Sequence, residues 1–266
     1  MTWWTTPDAT AFLAVATPVL AADPAHAPLL SEAGYLAAHP EVAALLGVAR
    51  DDGGSPVAAF VQAPRHPVLL SRLVPASTVL RGGLPGPPWE VDARDVDEVV
   101  ALLGDAGHHV APSARVVVHV LDESGATDAS AVDPDGTPRI AVEADRELLR
   151  SWYAALLASL PGDATDLAFL VDEPLSHGGA VLWEHRGLPA GVAILTRPVA
   201  GVTTVTAAWS PDGPAYADAA FLAASSAARL RATTVVTVTR PDAPRDLLEL
   251  AGYRPAAERV LLDVAG

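Results

Sequence analysis

Regularly spaced apolar runs and turn residues are clearest in the C-terminal half of the chain. Two apolar runs flank Arg186-Gly187-Leu188-Pro189, and a third follows Pro198 and Gly201. Short apolar runs separated by glycine and proline are typical of a strand meander. The alanine-rich run that comes next consists of good helix formers. The predicted order is β-β-β-α-β-α-β, with strands at 180–185, 190–196, 202–209, 233–239 and 259–264 and helices at about 216–231 and 243–251.

The N-terminal half predicts a similar succession of elements. Asp8 is a predicted N-cap for the first helix. The segment 51–55, which reads DDGGS, has the composition of a hairpin turn. Proline and glycine are concentrated at 82–88, which predicts a loop. The predicted helices are 8–21, 28–38 and 95–104, and the predicted strands are 45–50, 57–62, 68–73 and 114–121.

The two halves resemble each other in the order of their elements. The stretches "VARDDGGSPVAAFVQAPRHPVLL" and "WEHRGLPAGVAILTRPVAGVTTV" share a strand, a turn, a second strand and a bend with proline, and Pro56 and Pro189 lie half a chain apart. This order indicates an internal duplication, and the alternative is a chance likeness between two α/β stretches. The polar segment between the halves predicts a linker. The predicted domains are therefore a scaffold repeat at 1–121, a linker at 122–138 and a second repeat at 139–266, which opens with a helix at 143–160.

Composition excludes several kinds of chemistry. The chain of 266 residues contains no cysteine, so disulfides and thiolate chemistry are excluded. All 17 basic residues are arginine, which excludes a P-loop lysine and a Schiff base. A net charge of −15 repels nucleic acid and anionic membranes. The apolar runs are shorter than the roughly 18 to 20 residues of a membrane span, and no basic segment precedes an apolar one at the N-terminus. We therefore expect a cytoplasmic protein without nucleic-acid or membrane partners.

The C-terminal half is similar to a known family. The segments "LWEHRGLPAGVAILTRPVAGVTTVTAAWSP", "LAGYRP" and "VEADRELLRSWYAALL" resemble the second repeat of tandem GNAT-type N-acetyltransferases. The resemblance implies a mixed α/β (α+β) protein with two GNAT-like repeats, each a mixed, mostly antiparallel sheet flanked by helices, with a splayed parallel strand pair in the C-terminal repeat. It also implies a monomer with an internal pseudo-dimer, or a homodimer.

The resemblance places an acetyl-CoA site in the second repeat. The backbone of 202–209 takes the position of the strand that binds the pantetheine and the thioester carbonyl, and the small side chains of Ala207 and Ala208 suit close approach. The family's phosphate loop reads Arg or Gln, two residues, Gly, one residue, then Gly or Ala. This chain has Asp212, Pro214 and Asp218 in that region, so we expect acetyl-CoA to bind weakly. The implied cofactor-binding residues are Ala207, Ala208, Trp209, Gly213, Ala215, Tyr216 and Ala217.

The same resemblance leaves the catalytic residues open. Leu248 takes the place of the family's tyrosine, which protonates the leaving thiolate, and leucine has no proton to donate. Glu184 and Glu173 are the candidate general bases. Two functions follow: acetyl-CoA-dependent transfer of an acyl group to a small-molecule amine, with cationic amines favoured by the acidic surface, or a catalytically inactive module that binds another small molecule or a protein partner.

Other polar clusters have plainer interpretations. Adjacent His108 and His109 point apart on an extended chain and predict a solvated loop rather than a metal site. Asp92, Asp95, Asp97 and Glu98 either bind a cation or stabilise a helix start, and the second is favoured. We expect no metal cofactor. Further candidates are a phosphate loop at 81–86, a partial calcium loop at 133–136, a structural turn at His177-Gly178-Gly179, and Trp3 and Trp4, which pack back onto the fold or bind a partner.

Overall fold

The computed structural model describes residues 2–64, 66–73, 86, 88–105, 107–122, 135–160 and 165–264. The chain forms two compact units. Unit 1 comprises 1–119, 239–243 and 255–266, and unit 2 comprises 120–238 and 244–254. The last strand, Tyr253–Val264, begins in unit 2 and continues in unit 1. Most of the predicted linker at 122–138, and all but Gly86 of the predicted loop at 81–86, lie outside the described residues.

Unit 1 is a mixed sheet with helices. Its sheet order is β1-β2-β3-β4-β5-β12-β6. All of the pairings from β1 to β4, and that of β5 with β12, are antiparallel, whereas β4 and β5 are parallel. The elements are β1 (Thr2–Thr6), α1 (Ala9–Leu20), α2 (Ala27–Ala38), β2 (Leu45–Arg50), β3 (Pro56–Gln62), β4 (Val68–Leu70), β5 (Trp89–Asp92), α3 (Val96–Asp105), β6 (Val110–Leu121) and β12 (Tyr253–Val264).

Local sequence explains where α1 begins. The Asp8 carboxylate accepts hydrogen bonds from the backbone N–H of Thr10 and Ala11, so it is the N-cap that the sequence predicts for α1. The Trp3 ring lies 5.2 Å from that of Phe60, which places one of the terminal tryptophans on the core of unit 1. β1, in which Trp3 lies, is a strand that the apolar pattern does not predict.

Unit 2 has the predicted meander at its centre. Its sheet order is β11-β10-β9-β8-β7, antiparallel except for the parallel pair β10 and β11. Arg186 and Gly187 have positive φ angles, 53° and 77°, and form the tight turn between β8 and β9. The elements are β7 (Thr137–Ile140), α4 (Arg146–Ala158), α5 (Glu173–His177), β8 (Ala180–His185), β9 (Leu188–Leu195), β10 (Val202–Trp209), α6 (Pro214–Arg229), β11 (Thr234–Thr239) and α7 (Asp246–Ala251).

The order of elements repeats along the chain. β1, α1, α2, β2, β3, β4, β5, α3 and β6 correspond to β7, α4, α5, β8, β9, β10, β11, α7 and β12. Residues 74–85, between β4 and β5, lie outside the described residues, so no counterpart of α6 is assigned. Each repeat combines antiparallel pairs with a parallel pair, β4 with β5 and β10 with β11, which confirms the predicted fold class of two similar repeats.

Candidate functional site

The ladder between the two parallel strands of unit 2 ends part-way along their length. β10 and β11 pair only at Val202 with Thr234, Thr203 with Val235, and Thr204 with Val236. Beyond these pairs the Thr237 hydroxyl donates to the Val205 carbonyl at 2.9 Å, so a side chain replaces the main-chain ladder. We call the space between 205–209 of β10 and 237–238 of β11 the unit 2 wedge.

Ala207 and Ala208 lie where β10 also loses its register with β9. The pairing runs from Thr206 with Ile194 directly to Trp209 with Val192. Ala207 has a φ of 50°, in the left-handed region, as expected of a β-bulge. Ala207 and Ala208 therefore have no register partner on either neighbouring strand. Their backbone groups are the ones that an extended ligand at this strand would meet.

The side chain of Tyr153 on α4 makes a hydrogen bond to this bulge. Its hydroxyl donates to the Ala207 carbonyl at 2.9 Å, and its side chain is fully buried. Burial raises the pKa of Tyr153 well above its usual range, which keeps the donor proton in place. The neighbouring Trp152 ring lies 5.9 Å from that of Trp209. No signal within the sequence of this helix marks Tyr153 as a partner of the bulge.

The start of α6 lies close to β9. A Cβ on Gly191 would meet the Tyr216 carbonyl oxygen at 2.2 Å, so glycine allows the first turn of the helix to rest on the strand. Gly213 precedes the helix with a φ of 120°, and no side chain caps the helix start. Pro214 at the first helical position has no N–H to donate. The Ser210 hydroxyl donates to the Ala190 carbonyl at 2.6 Å and fixes the turn after β10.

One acidic residue precedes this helix, and another follows its first turn. Asp212 is exposed and Asp218 is half-buried. Burial raises the pKa of Asp218 above its usual value. The helix dipole favours anions here, whereas both carboxylates oppose them.

Both candidate bases pair with arginine. Glu184 on β8 accepts a hydrogen bond from Arg139 at 2.6 Å, and Arg139 also pairs with Asp145. Glu173 on α5 is buried and accepts from Arg197 at 3.0 Å. Leu248 is buried in the core that also contains Tyr253. The Tyr253 and Ser225 hydroxyl oxygens lie 3.0 Å apart, and burial raises the pKa of Tyr253.

Comparison with known proteins identifies the fold. No protein-family model and no curated protein matches the sequence. A GNAT-family acetyltransferase from Colwellia psychrerythraea aligns with a TM-score of 0.57 at 10% identity, over 100% of both chains. A GCN5-related N-acetyltransferase from Sphaerobacter thermophilus aligns with a TM-score of 0.56 at 16% identity, over 98% of this chain and 94% of that one. A tandem GNAT protein from the clavulanic acid biosynthesis pathway aligns with a TM-score of 0.53 at 15% identity, over 99% of both chains.

The chain has the tandem GNAT fold. This confirms the resemblance noted in the sequence, and at these identities the likeness is one of fold. In the GNAT fold of unit 2, the predicted cofactor-binding residues fall into two groups. Ala207, Ala208 and Trp209 lie at the bulge and end of β10, and Gly213, Ala215, Tyr216 and Ala217 lie at the start of α6.

The remaining polar clusters of unit 1 are ion pairs. Asp92 pairs with Arg94, and Asp95 pairs with Arg72 at 3.0 Å. His108 lies with its ring 6.1 Å from that of Trp89. In the described ranges no three acidic or histidine side chains are grouped to hold a metal ion. Nor do the helices within those ranges include one with both the length and the apolar character to cross a lipid bilayer. Asp133 and Pro134 of the predicted calcium-like loop lie outside the described residues.

Proposed function

We propose that the protein is an N-acyltransferase that takes an acyl group from acetyl-CoA at the unit 2 wedge and transfers it to a small-molecule amine. The observation that carries this proposal is the pair Ala207 and Ala208, which have no register partner on β9 or β11. An extended strand with unpaired amide groups is a template for another extended chain of amides. The pantetheine arm of acetyl-CoA is such a chain.

The two ends of acetyl-CoA differ in how well they fit. The pantetheine arm fits β10 at Ala207 and Ala208, which have no register partner and whose small side chains allow close approach. The diphosphate fits poorly, because Pro214 removes a donor from the helix start and Asp212 and Asp218 add negative charge. The proposal therefore includes weak binding of the nucleotide end.

The residues of the chain have limited roles in this proposal. Acetyl-CoA supplies an activated acyl carbon when it is bound. Ala207 and Ala208 orient it through their main chain, and Tyr153 fixes the bulge from which those groups project. Glu184 and Glu173 are both held by arginines, so we propose direct attack by an amine in its neutral form. The acidic surface attracts amines that are cationic in solution.

A second function is supported by a different observation. Leu248 is buried in an apolar core, and leucine cannot protonate a leaving thiolate. If no other group supplies that proton, unit 2 is a binding module that keeps the wedge for another small molecule or a protein partner. Release of free thiol from acetyl-CoA in the presence of a panel of amines separates the two functions, since only the enzyme releases thiol above the background rate.

Reversal of the charge at Asp212 tests whether its carboxylate weakens the binding of the nucleotide end of acetyl-CoA. We expect Asp212→Arg to tighten the binding of desulfo-CoA about tenfold, because it replaces a repulsion of roughly 1 kcal/mol by an attraction. The binding of pantetheine, which lacks phosphate, is expected to stay the same. Titration calorimetry measures both affinities. Asp52→Arg, an equal charge change at an exposed turn of unit 1, is the matched control. Failure of desulfo-CoA and pantetheine to bind wild type at millimolar concentration contradicts the proposed function.

Removal of the Tyr153 hydroxyl tests whether it holds the β10 bulge in place. We expect Tyr153→Phe to lower the free energy of unfolding by about 1 kcal/mol, because the Ala207 carbonyl loses a buried donor. Pantetheine affinity is expected to fall as well, since the bulge is no longer fixed. Tyr253→Phe removes an equally buried hydroxyl that bonds Ser225 instead, so it should cost similar stability and leave the affinity unchanged. Equal affinities in the two variants would assign Tyr153 a purely structural role.

A further inference from the structure

Unit 1 contains the counterpart of the unit 2 wedge. β4 and β5 are parallel and pair only at Val68 with Trp89 and Leu69 with Glu90. They correspond to β10 and β11 in the order of elements. We call the space between 70–73 and 91–92, which follows these pairs, the unit 1 wedge.

A single guanidinium group bridges the two strands at the mouth of this wedge. Arg259 on β12 is fully buried. One of its terminal nitrogens donates to the carbonyl oxygens of Leu70 on β4 and Glu90 on β5, both at 3.0 Å. The other terminal nitrogen donates to the Ala25 carbonyl at 3.0 Å, and Nε donates to the Glu90 carboxylate. The guanidinium therefore occupies the first step at which β4 and β5 no longer pair.

The backbone donors after Leu70 are also bound within unit 1. The Arg72 N–H donates to His26 Nε2 at 3.0 Å, and the Leu73 N–H donates to Asp95 Oδ2 at 2.9 Å. His26 Nδ1 lies 3.2 Å from the Val19 carbonyl, which fixes the tautomer that leaves Nε2 as the acceptor. The main-chain groups that an extended ligand would need are thus satisfied by side chains.

Unit 2 differs beyond the first step, at which the Val205 carbonyl accepts from the Thr237 hydroxyl. Ala207 and Ala208 lack register partners, and the Ala207 carbonyl accepts from Tyr153, which approaches from α4.

We propose that Arg259 is an internal ligand of the unit 1 wedge, which is a guanidinium-binding site filled by the chain itself. Because its backbone groups are occupied, this wedge takes no thioester ligand, and the protein binds one pantetheine-containing ligand per chain, in unit 2. The stoichiometry rests on the proposed function, whereas the occupancy of the unit 1 wedge by Arg259 does not.

Chemical rescue tests the role of Arg259. Arg259→Ala is expected to lower the Tm by about 10 °C, because it leaves three carbonyl groups and the Glu90 carboxylate without their donor. Millimolar N-ethylguanidinium is expected to restore about half of that loss by binding the vacated site. Methylammonium, which has the charge without the planar fork of donors, is expected to restore none of it. Arg254→Ala removes an exposed arginine of the same strand and should show neither the loss nor the rescue.

Each result decides the proposal. Should Arg259→Ala not fold by itself, its refolding yield from urea with and without N-ethylguanidinium gives the same comparison. An unchanged Tm, or no gain from N-ethylguanidinium in either measurement, overturns the role of Arg259. Calorimetry of wild type with pantetheine is expected to give one site per chain. A result of two sites per chain overturns the claim that the unit 1 wedge binds no such ligand. The absence of any pantetheine binding contradicts the proposed function instead, and the rescue still decides the role of Arg259.

Discussion

Gly191→Ala is expected to destabilise unit 2 by about 3 kcal/mol, because the added Cβ has no space. It would lie 2.2 Å from the carbonyl oxygen and 2.6 Å from the carbonyl carbon of Tyr216. These are main-chain atoms in the first turn of α6, so a change of rotamer cannot relieve the contact. Either the helix start moves away from β9 or the strand bends. Urea denaturation of the variant measures the loss of free energy of unfolding.

Gly104→Ala is the matched control for this prediction. Gly104 lies in α3 on an exposed face, and a Cβ there meets nothing within 4 Å. The same substitution should therefore stabilise the protein by roughly 0.5 to 1 kcal/mol through helix propensity. Equal effects at the two positions would show that the first turn of α6 does not rest on Gly191. The pantetheine affinity of Gly191→Ala is also expected to fall, since Gly213 and Ala215 move with that turn.

The second large effect is a loss of stability in acid caused by His177. Its side chain is 7% exposed, and burial lowers the pKa of His177 to about 4 from an ordinary value of 6.5. Among the described residues neither ring nitrogen has a hydrogen-bond partner. The charged groups that face the ring are Glu173, at 3.8 Å, which favours protonation, and Arg197 and Arg231, which oppose it.

The direction in which the free energy of unfolding changes with pH follows from proton binding. Between pH 6.5 and pH 4 the unfolded chain binds a proton at His177 and the folded chain does not, so acid favours unfolding. The stability is fully present above pH 6.5 and declines as the pH falls, by about 3 kcal/mol at pH 4. His177→Gln removes the titrating group and retains a polar side chain. We expect the difference in unfolding free energy between wild type and this variant to shift by that amount from pH 7 to pH 4, and parallel pH curves contradict it.

The sequence predicts most elements because their signals are local. β10 has the predicted bounds, and the turn at Arg186 and Gly187 lies where glycine and proline mark it. The missed strands are short: β1, β5 and β7 have four or five residues each. A run of that length contains too few alternations to be distinguished from a loop. These strands are defined by their pairing partners instead.

The site was predicted less completely than the fold. Ala207 and Ala208 follow from the family resemblance, and the structure gives them a physical property, since neither has a partner on the adjoining strands. Tyr153 and Arg259 were not predicted, because each acts on residues far away in the chain. Tyr153 contacts a carbonyl 54 residues away, and Arg259 contacts Glu90 across 169 residues. No periodicity within a helix or strand carries that information.

Apolar spacing, turn residues and the two similar halves were enough to predict two mixed α/β repeats, and the composition shows an acidic protein without cysteine or lysine. Only the tertiary structure decided which strand residues lack a register partner and which side chains bind the backbone there: Ala207 and Ala208 in unit 2 have no register partner, whereas in unit 1 Arg259 binds the Leu70 carbonyl and Asp95 binds the Leu73 N–H. The physical reason is that a strand's propensity is a property of neighbouring residues, whereas the satisfaction of its hydrogen bonds depends on whichever distant side chains the fold brings to it.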